Sequence, residues 1–230
     1  MKIGALPGMR ALRLAAALTM LPLGACAVLP YPVTPEIART AEVDLPETVY
    51  VTVGPRRLLA RMSEAIRKET PRIEIVDALE VRDAAFPDGG WSLQELLGSG
   101  RCGALAERLG VRYLVLLGPL QTRLGEEKGF FIPLALGAQS QTEDRSIGSL
   151  IVDLQRSELV CRLTASASGT QRVFHYVVIL VGTLPRTEAA VIDGMAKAIA
   201  SELGSLVPEG PLRIAVLAAE AGGAVPEGKR

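Results

Sequence analysis

The stretch from Val111 to Leu117 is apolar at all but one position and rich in leucine and β-branched residues. A strand with one face in water alternates apolar and polar side chains, whereas an unbroken apolar run needs cover on both faces. The remaining segments must therefore supply that cover. Upstream, Thr48 to Val53 reads as a strand ended by Gly54-Pro55, and Leu58, Leu59, Met62 and Ile66 recur at helical spacing as far as Glu69. Pro71 stops that helix, and Ile73 to Val76 reads as a second strand. Beyond a Pro87-Asp88-Gly89-Gly90 turn signal, Leu93, Leu96 and Leu97 suggest a helical turn, and Cys102 to Leu109 a helix closed by Gly110.

Downstream of the apolar run the pattern changes. A long interruption extends from Pro119 to about Ser146. Ser149 to Leu154, a polar turn at Gln155-Arg156-Ser157, and Glu158 to Ala167 then make a hairpin signal. In its second arm Leu159, Cys161, Leu163, Ala165 and Ala167 alternate with Val160, Arg162, Thr164 and Ser166, which places one row inward. Ser168-Gly169-Thr170 reads as a turn into another strand, Val173 to Val181. A helix follows Pro185, with Ile192, Met195, Ile199, Leu203 and Leu206 on one face. Leu212 to Leu217 is expected as a final edge strand, and residues 219–230 as a loose tail. The expected fold is α/β (α+β): a mixed β-sheet of order β-α-β-α-β-β-β-α with helices packed on it. An alternating first half needs parallel crossovers, and a run of strands makes a meander.

The amino terminus carries a different kind of signal. Lys2, Arg10 and Arg13 precede a short apolar run from Leu14 to Leu21, broken at Pro22 and closed by Leu23-Gly24-Ala25-Cys26. The run is too short to anchor a mature chain across a bilayer. The segment resembles the lipobox of bacterial lipoproteins, which implies cleavage between Ala25 and Cys26 and a diacylglyceryl cysteine at Cys26. A further acyl chain such as palmitate on the new amino terminus makes attachment stable, because one chain alone binds marginally. Ala25-Cys26-Ala27 also fits an ordinary A-x-A cleavage site, and an uncleaved anchor is the third reading. The residue after the cysteine is Ala27 rather than aspartate, so the resemblance implies the outer membrane and its periplasmic face. On this reading residues 1–25 are signal peptide, 26–47 a lipidated cysteine and Pro-rich tether, and 48–218 a single α/β domain.

Removing the leader leaves 22 basic against 25 acidic residues, a net charge of −3. That balance gives no footprint for nucleic acid or for an anionic membrane surface. A hydrophobic content of 49% in a chain of this length suits one domain with a real core, and 4% aromatic residues argue against a carbohydrate-stacking surface.

The order of elements is similar to the α/β domain shared by curli-secretion-type lipoproteins, the amino-terminal domain of TolB-like proteins and lipoprotein activators of cell-wall synthases. Leu109 to Gly118 resembles that group's step from helix to central strand. Ser149 to Leu154, followed by Glu158-Leu159-Val160, resembles its Asp-bearing hairpin. The similarity covers roughly residues 48–206. It implies an anticodon-binding-domain-like fold in a lipid-anchored protein that works by protein contacts in envelope assembly, secretion or cell-wall control, with no catalytic residues to carry over. One departure concerns pore formation. Gly129 to Gly137 is an apolar clump broken by Pro133, without the alternation over about ten residues that barrel strands need.

Other residues invite chemistry and offer little. Gly98-Ser99-Gly100-Arg101-Cys102-Gly103 spells G-x-G-x-x-G, yet no strand is expected directly before it, so a loop and helix start is preferred and no cofactor is assigned. Cys102 and Cys161 form a possible disulfide, and each reads alternatively as a free thiol: Cys102 activated at a helix start, Cys161 buried and inert. His175 is the only histidine, has no cluster of ligands near it and reads as a packed residue; no metal site is assigned. Carboxylates fall on helix faces and loops, so no enzyme is expected. The interruption offers more. Phe130, Phe131, Ile132, Leu134 and Leu136 either fold over the sheet to finish the core or stay exposed as a partner contact, with Trp91 as a second contact point. The expected function is a non-enzymatic, lipid-anchored scaffold that binds or organises other envelope proteins, with homo-oligomers among its possible assemblies. The alternative is a periplasmic binding module for a small apolar or lipid ligand held under the same segment.

Overall fold

The computed structural model of the protein describes residues 26–41, 49–52, 55–76, 80–81, 91–98, 100–132, 136–176 and 179–221. It is a mixed α/β structure with a large mixed sheet, and four helices are delimited among the described residues. The strands are β1 (Cys26–Tyr31), β2 (Glu36–Thr40), β3 (Val49–Thr52), β4 (Ile73–Val76), β5 (Trp91–Ser92) and β6 (Tyr113–Leu117). They continue as β7 (Gln121–Leu124), β8 (Lys128–Ile132), β9 (Leu136–Asp153), β10 (Glu158–Tyr176), β11 (Ile179–Pro185) and β12 (Leu212–Ala221). The helices are α1 (Arg56–Glu69), α2 (Leu93–Gly98), α3 (Arg101–Leu109) and α4 (Thr187–Leu206). Contacts group the chain into two compact units.

The larger unit takes its described residues from 32–123, 144–169 and 186–221. β6 lies between β9, antiparallel, and β12, parallel, and β12 pairs on its other side with β4, parallel, and β3, antiparallel. Every residue of β6 is buried, as its composition requires. The period of two then divides its side chains between two cores. Tyr113, Val115 and Leu117 join Met62, Ile66, Met195 and Ile199 beneath α1 and α4. Leu114 and Leu116 join Leu93, Leu96, Leu105 and Leu109 beneath α2 and α3. Cys161, Leu163, Ala165 and Ala167, the row expected to face inward, are all buried in the first core.

The hairpin between β9 and β10 is fastened by one carboxylate. Asp153 Oδ1 accepts from the backbone N–H groups of Gln155 (3.0 Å) and Arg156 (3.2 Å), and Oδ2 from the Arg112 guanidinium (3.1 and 3.2 Å). Leu154 N–H donates to Arg112 O at 2.8 Å, so the turn is tied to the approach to β6. Gly110 closes α3 with φ +61°, a conformation that side chains with a Cβ adopt at a cost.

Five expectations differ from the structure. The single strand expected from Val173 to Val181 is two, β10 ending at Tyr176 and β11 starting at Ile179, paired antiparallel. The interruption from Pro119 to Ser146 holds β7, β8 and the first part of β9. Leu212 to Leu217 is no edge: β12 reaches Ala221 and has neighbours on both sides, because α4 carries the chain back across the sheet and both faces of β12 are buried. Ser168-Gly169-Thr170 does not turn. The left-handed glycines are Gly100, Gly110 and Gly210 among the described residues, so Gly169 keeps the backbone of β10 extended. Residues expected as an unpaired tether form β1 and β2, hydrogen-bonded to β11 and β10. Pro30 is compatible with this because β1 is an outer strand, where one side of the backbone has no ladder to serve, and Pro32 lies just beyond its end.

Candidate functional site

The smaller unit takes its described residues from 26–31, 124–132, 136–143, 170–176 and 179–185. β1 runs parallel to β11, β11 antiparallel to β10, and β8 antiparallel to β9. Tyr31, the last residue of β1, is tied to β10: its hydroxyl donates to Thr170 O at 2.9 Å and accepts from Thr170 N–H at 2.8 Å. Among the described residues, no side chain of this unit belongs to either hydrophobic core. Ten large apolar side chains are exposed among the described residues, and nine of them belong here, so the uncovered apolar surface is concentrated rather than scattered.

Phe130, Phe131, Ile132 and Leu136 are exposed, with Phe130 at 54% and Phe131 at 71%. The reading in which they finish the core fails, because the hairpin of β8 and β9 closes on itself. Ile132 faces Leu136 across the ladder, and Phe131 faces Gly137. A Cβ on Gly137 would stand 2.9 Å from the Phe131 ring, so the glycine makes room for it. Phe130 and Phe131 point to opposite faces of this hairpin, as neighbours in a strand do. Sequence reasoning missed Val28, Leu29, Phe174 and Leu184, which are exposed in the same unit. Phe174 is opposite Val181, which is opposite Ala27, so β10, β11 and β1 share one row of apolar residues.

The other marked positions fall as follows. Cys26 begins β1 opposite Leu180. Ala25 and Leu134 lie outside the described residues. Trp91 pairs with Val51 through its backbone, and its side chain is outside the description. His175 is half-buried and shares a depression with Glu127, Phe130, Phe131 and Gln139. No group of three or more His, Cys, Asp or Glu that could hold a metal occurs among the described residues. Helix α2, not a strand, precedes Gly98, and Gly100 is the left-handed cap of α3; Ser99 is outside the description.

Cys102 and Cys161 are both free and buried, and they belong to the cores on opposite faces of the sheet, so the possible disulfide is not formed. Cys102 Sγ lies 3.2 Å from Leu96 O, and burial pushes its thiol up, the reverse of an activated nucleophile. Burial, with the Glu202 carboxylate adding to it, pushes the Cys161 thiol up to about 11.

No family model, curated protein or solved structure matches the chain.

Proposed function

We propose that the protein is a lipid-anchored component of the outer membrane, held at Cys26 on the periplasmic face, that binds and organises other envelope proteins without catalysing a reaction. The observation that carries this reading is the smaller unit's strand surface, which among the described residues bears nine exposed large apolar side chains and gives none to either core. Covering side chains that are about half exposed is worth roughly 1 kcal/mol each, so their combined burial offers on the order of 10 kcal/mol. That is comparable with the cost of immobilising two partners, which runs from about 4 to 15 kcal/mol. A protein surface can cover such strands, and open ladder groups at their edges offer it hydrogen bonds besides.

Leaving aside β2, β5 and β7, the larger unit runs β3-α1-β4, then α2 and α3, then β6-β9-β10-α4, with β12 as a last strand. That order supports the likeness to the curli-secretion and TolB-type α/β domain, with its anticodon-binding-domain-like arrangement. The exposure of Phe130 and Phe131 favours protein contact over a small ligand sheltered beneath them.

Two experiments separate the parts of this reading. Mass spectrometry of the native protein is expected to find acyl chains at Cys26, and a bare cysteine with an intact leader overturns the anchor. Crosslinking in cells is expected to capture envelope proteins that are lost both with Phe131→Glu and on deletion of residues 127–137. Capture unchanged by both, with the variant proteins folded, overturns the contact surface.

A further inference from the structure

Two helices begin at one end of the larger unit, and neither start is capped. α1 follows Pro55 and α4 follows Arg186, and neither residue supplies a side-chain cap. Free N–H groups of a first turn favour an anion, and acidic residues usually gather there. α1 has no acid in its first turn; it opens with Arg56 and Arg57 instead. That choice runs against the helix dipole, and a sequence that breaks a local rule without compensation invites a functional reason.

The reason we favour is a cleft of about 440 Å³ at this end. It lies where the parallel strands β6 and β12 finish, the side of an open α/β sheet on which ligands are commonly held. Leu58, Leu117, Leu120 and Ala219 give it an apolar wall, and Arg57, Arg61 and Glu188 stand at it. The one carboxylate among its described lining residues is already paired: Arg61 and Arg145 both donate to Glu188. Burial works against the charge of Glu188, and the two guanidinium bonds outweigh it, so the group is held below its ordinary range. Arg57 is exposed and has no hydrogen bond or ion pair among the described residues. Positive charge is thus in surplus beside an apolar wall. Behind the cleft wall, Ser149 faces Leu117 across the β6–β9 ladder and projects from the same side of the sheet, without itself lining the cleft. The residue is 2% exposed and its Oγ has no partner. A buried hydroxyl is rarely left so.

We propose that this cleft binds a small amphiphilic anion, a carboxylate or phosphate monoester head on a short apolar body. The head meets Arg57 at the uncapped start of α1, and the body lies along Leu58, Leu120 and Ala219. The volume falls within the usual range for small-molecule sites, about 300–1,000 Å³. The proposal is independent of the anchor at Cys26 and of the smaller unit's strands.

Photo-crosslinking on the full chain tests it, with a diazirine analogue of decanoate as probe. Label is expected in peptides carrying residues 55–61, 117–120 or 218–219. Excess decanoate or decyl phosphate is expected to displace it, whichever of the two competes naming the head group, while decanol does not. Arg57→Ala should lower label at these peptides on the order of 2- to 5-fold, the worth of one partly exposed charge contact, and Arg57→Lys should restore most of it. The proposal is overturned if neither anion competes, if Arg57→Ala leaves labelling unchanged, or if label falls only on the smaller unit's apolar strands.

Discussion

Replacing Asp153 tests how the hairpin of the larger unit is held. The residue is 2% exposed and accepts four hydrogen bonds, two from backbone N–H groups and two from Arg112. Bonds to a charged acceptor contribute about 1.5–3 kcal/mol each. Gln155 and Arg156 are exposed, so their freed N–H groups can find water and the lower figure applies to both. The Arg112 side chain is 36% exposed, which discounts its contribution to about 1 kcal/mol or less. Relief of the buried carboxylate's desolvation offsets part of the loss. Asp153→Ala is therefore expected to cost about 3 kcal/mol, a fall in Tm of roughly 6–12 °C for a unit of this size. Asp153→Asn keeps an oxygen for the two backbone donors and should cost about half as much. Thermal and urea unfolding measure both. An alanine variant within about 0.5 kcal/mol of the parent would refute the reasoning, and an asparagine variant as damaged as alanine would refute the weight given to the backbone bonds.

Three other outcomes follow from the structure. Cys102 and Cys161 should resist alkylation at pH 8 in the folded protein and both react once it is denatured, since their thiols are buried and protonated; failure to react after denaturation without reductant would indicate a bond between them. Glu188 titrates below its ordinary value of 4.5 when folded, so the unfolded chain takes up its proton first and the pair's stabilisation, present above about that pH, is lost as pH falls through the folded value. Acid unfolding of Glu188→Gln should accordingly depend less on pH below 4.5, and identical slopes would count against the pair. Gly194→Ala puts a Cβ 2.7 Å from the Pro35 ring, an overpacking cost of about 1–3 kcal/mol that the helix preference for alanine reduces by about 1; a more stable variant would show that residues 32–40 yield freely.

Much of the larger unit was legible because its elements announce themselves locally. Ile73 to Val76 is the strand its composition predicts, α1 follows the spacing of Leu59, Met62 and Ile66, and the inward row from Cys161 to Ala167 is buried throughout. What escaped were facts set by distant partners. β12 is central because it pairs with β6 about a hundred residues earlier, although its unbroken apolar run from Ile214 to Ala219 carried the same message as that of β6. β1 and β2 have no periodicity to betray them, and only β11 and β10 make them strands. Phe130, Phe131 and Ile132 were legible as a feature, but exposure is decided by whether anything packs above them. The cleft joins Arg57 to Glu188 across 131 positions, and only the arginines after Pro55 hinted at it.

Pairing of β1 has a bearing on reach. Twenty-two unpaired residues between Cys26 and the first strand of an independent domain could stretch about 70 Å at 3.3 Å per residue. Cys26 is instead the first residue of a ladder with Leu180, so that slack is absent at its origin. Under the proposed acylation the strands around β1 would ride at the lipid headgroups on a very short leash. Partners would then be recruited from within that same membrane plane, and a distant target deep in the periplasm would be out of range for them.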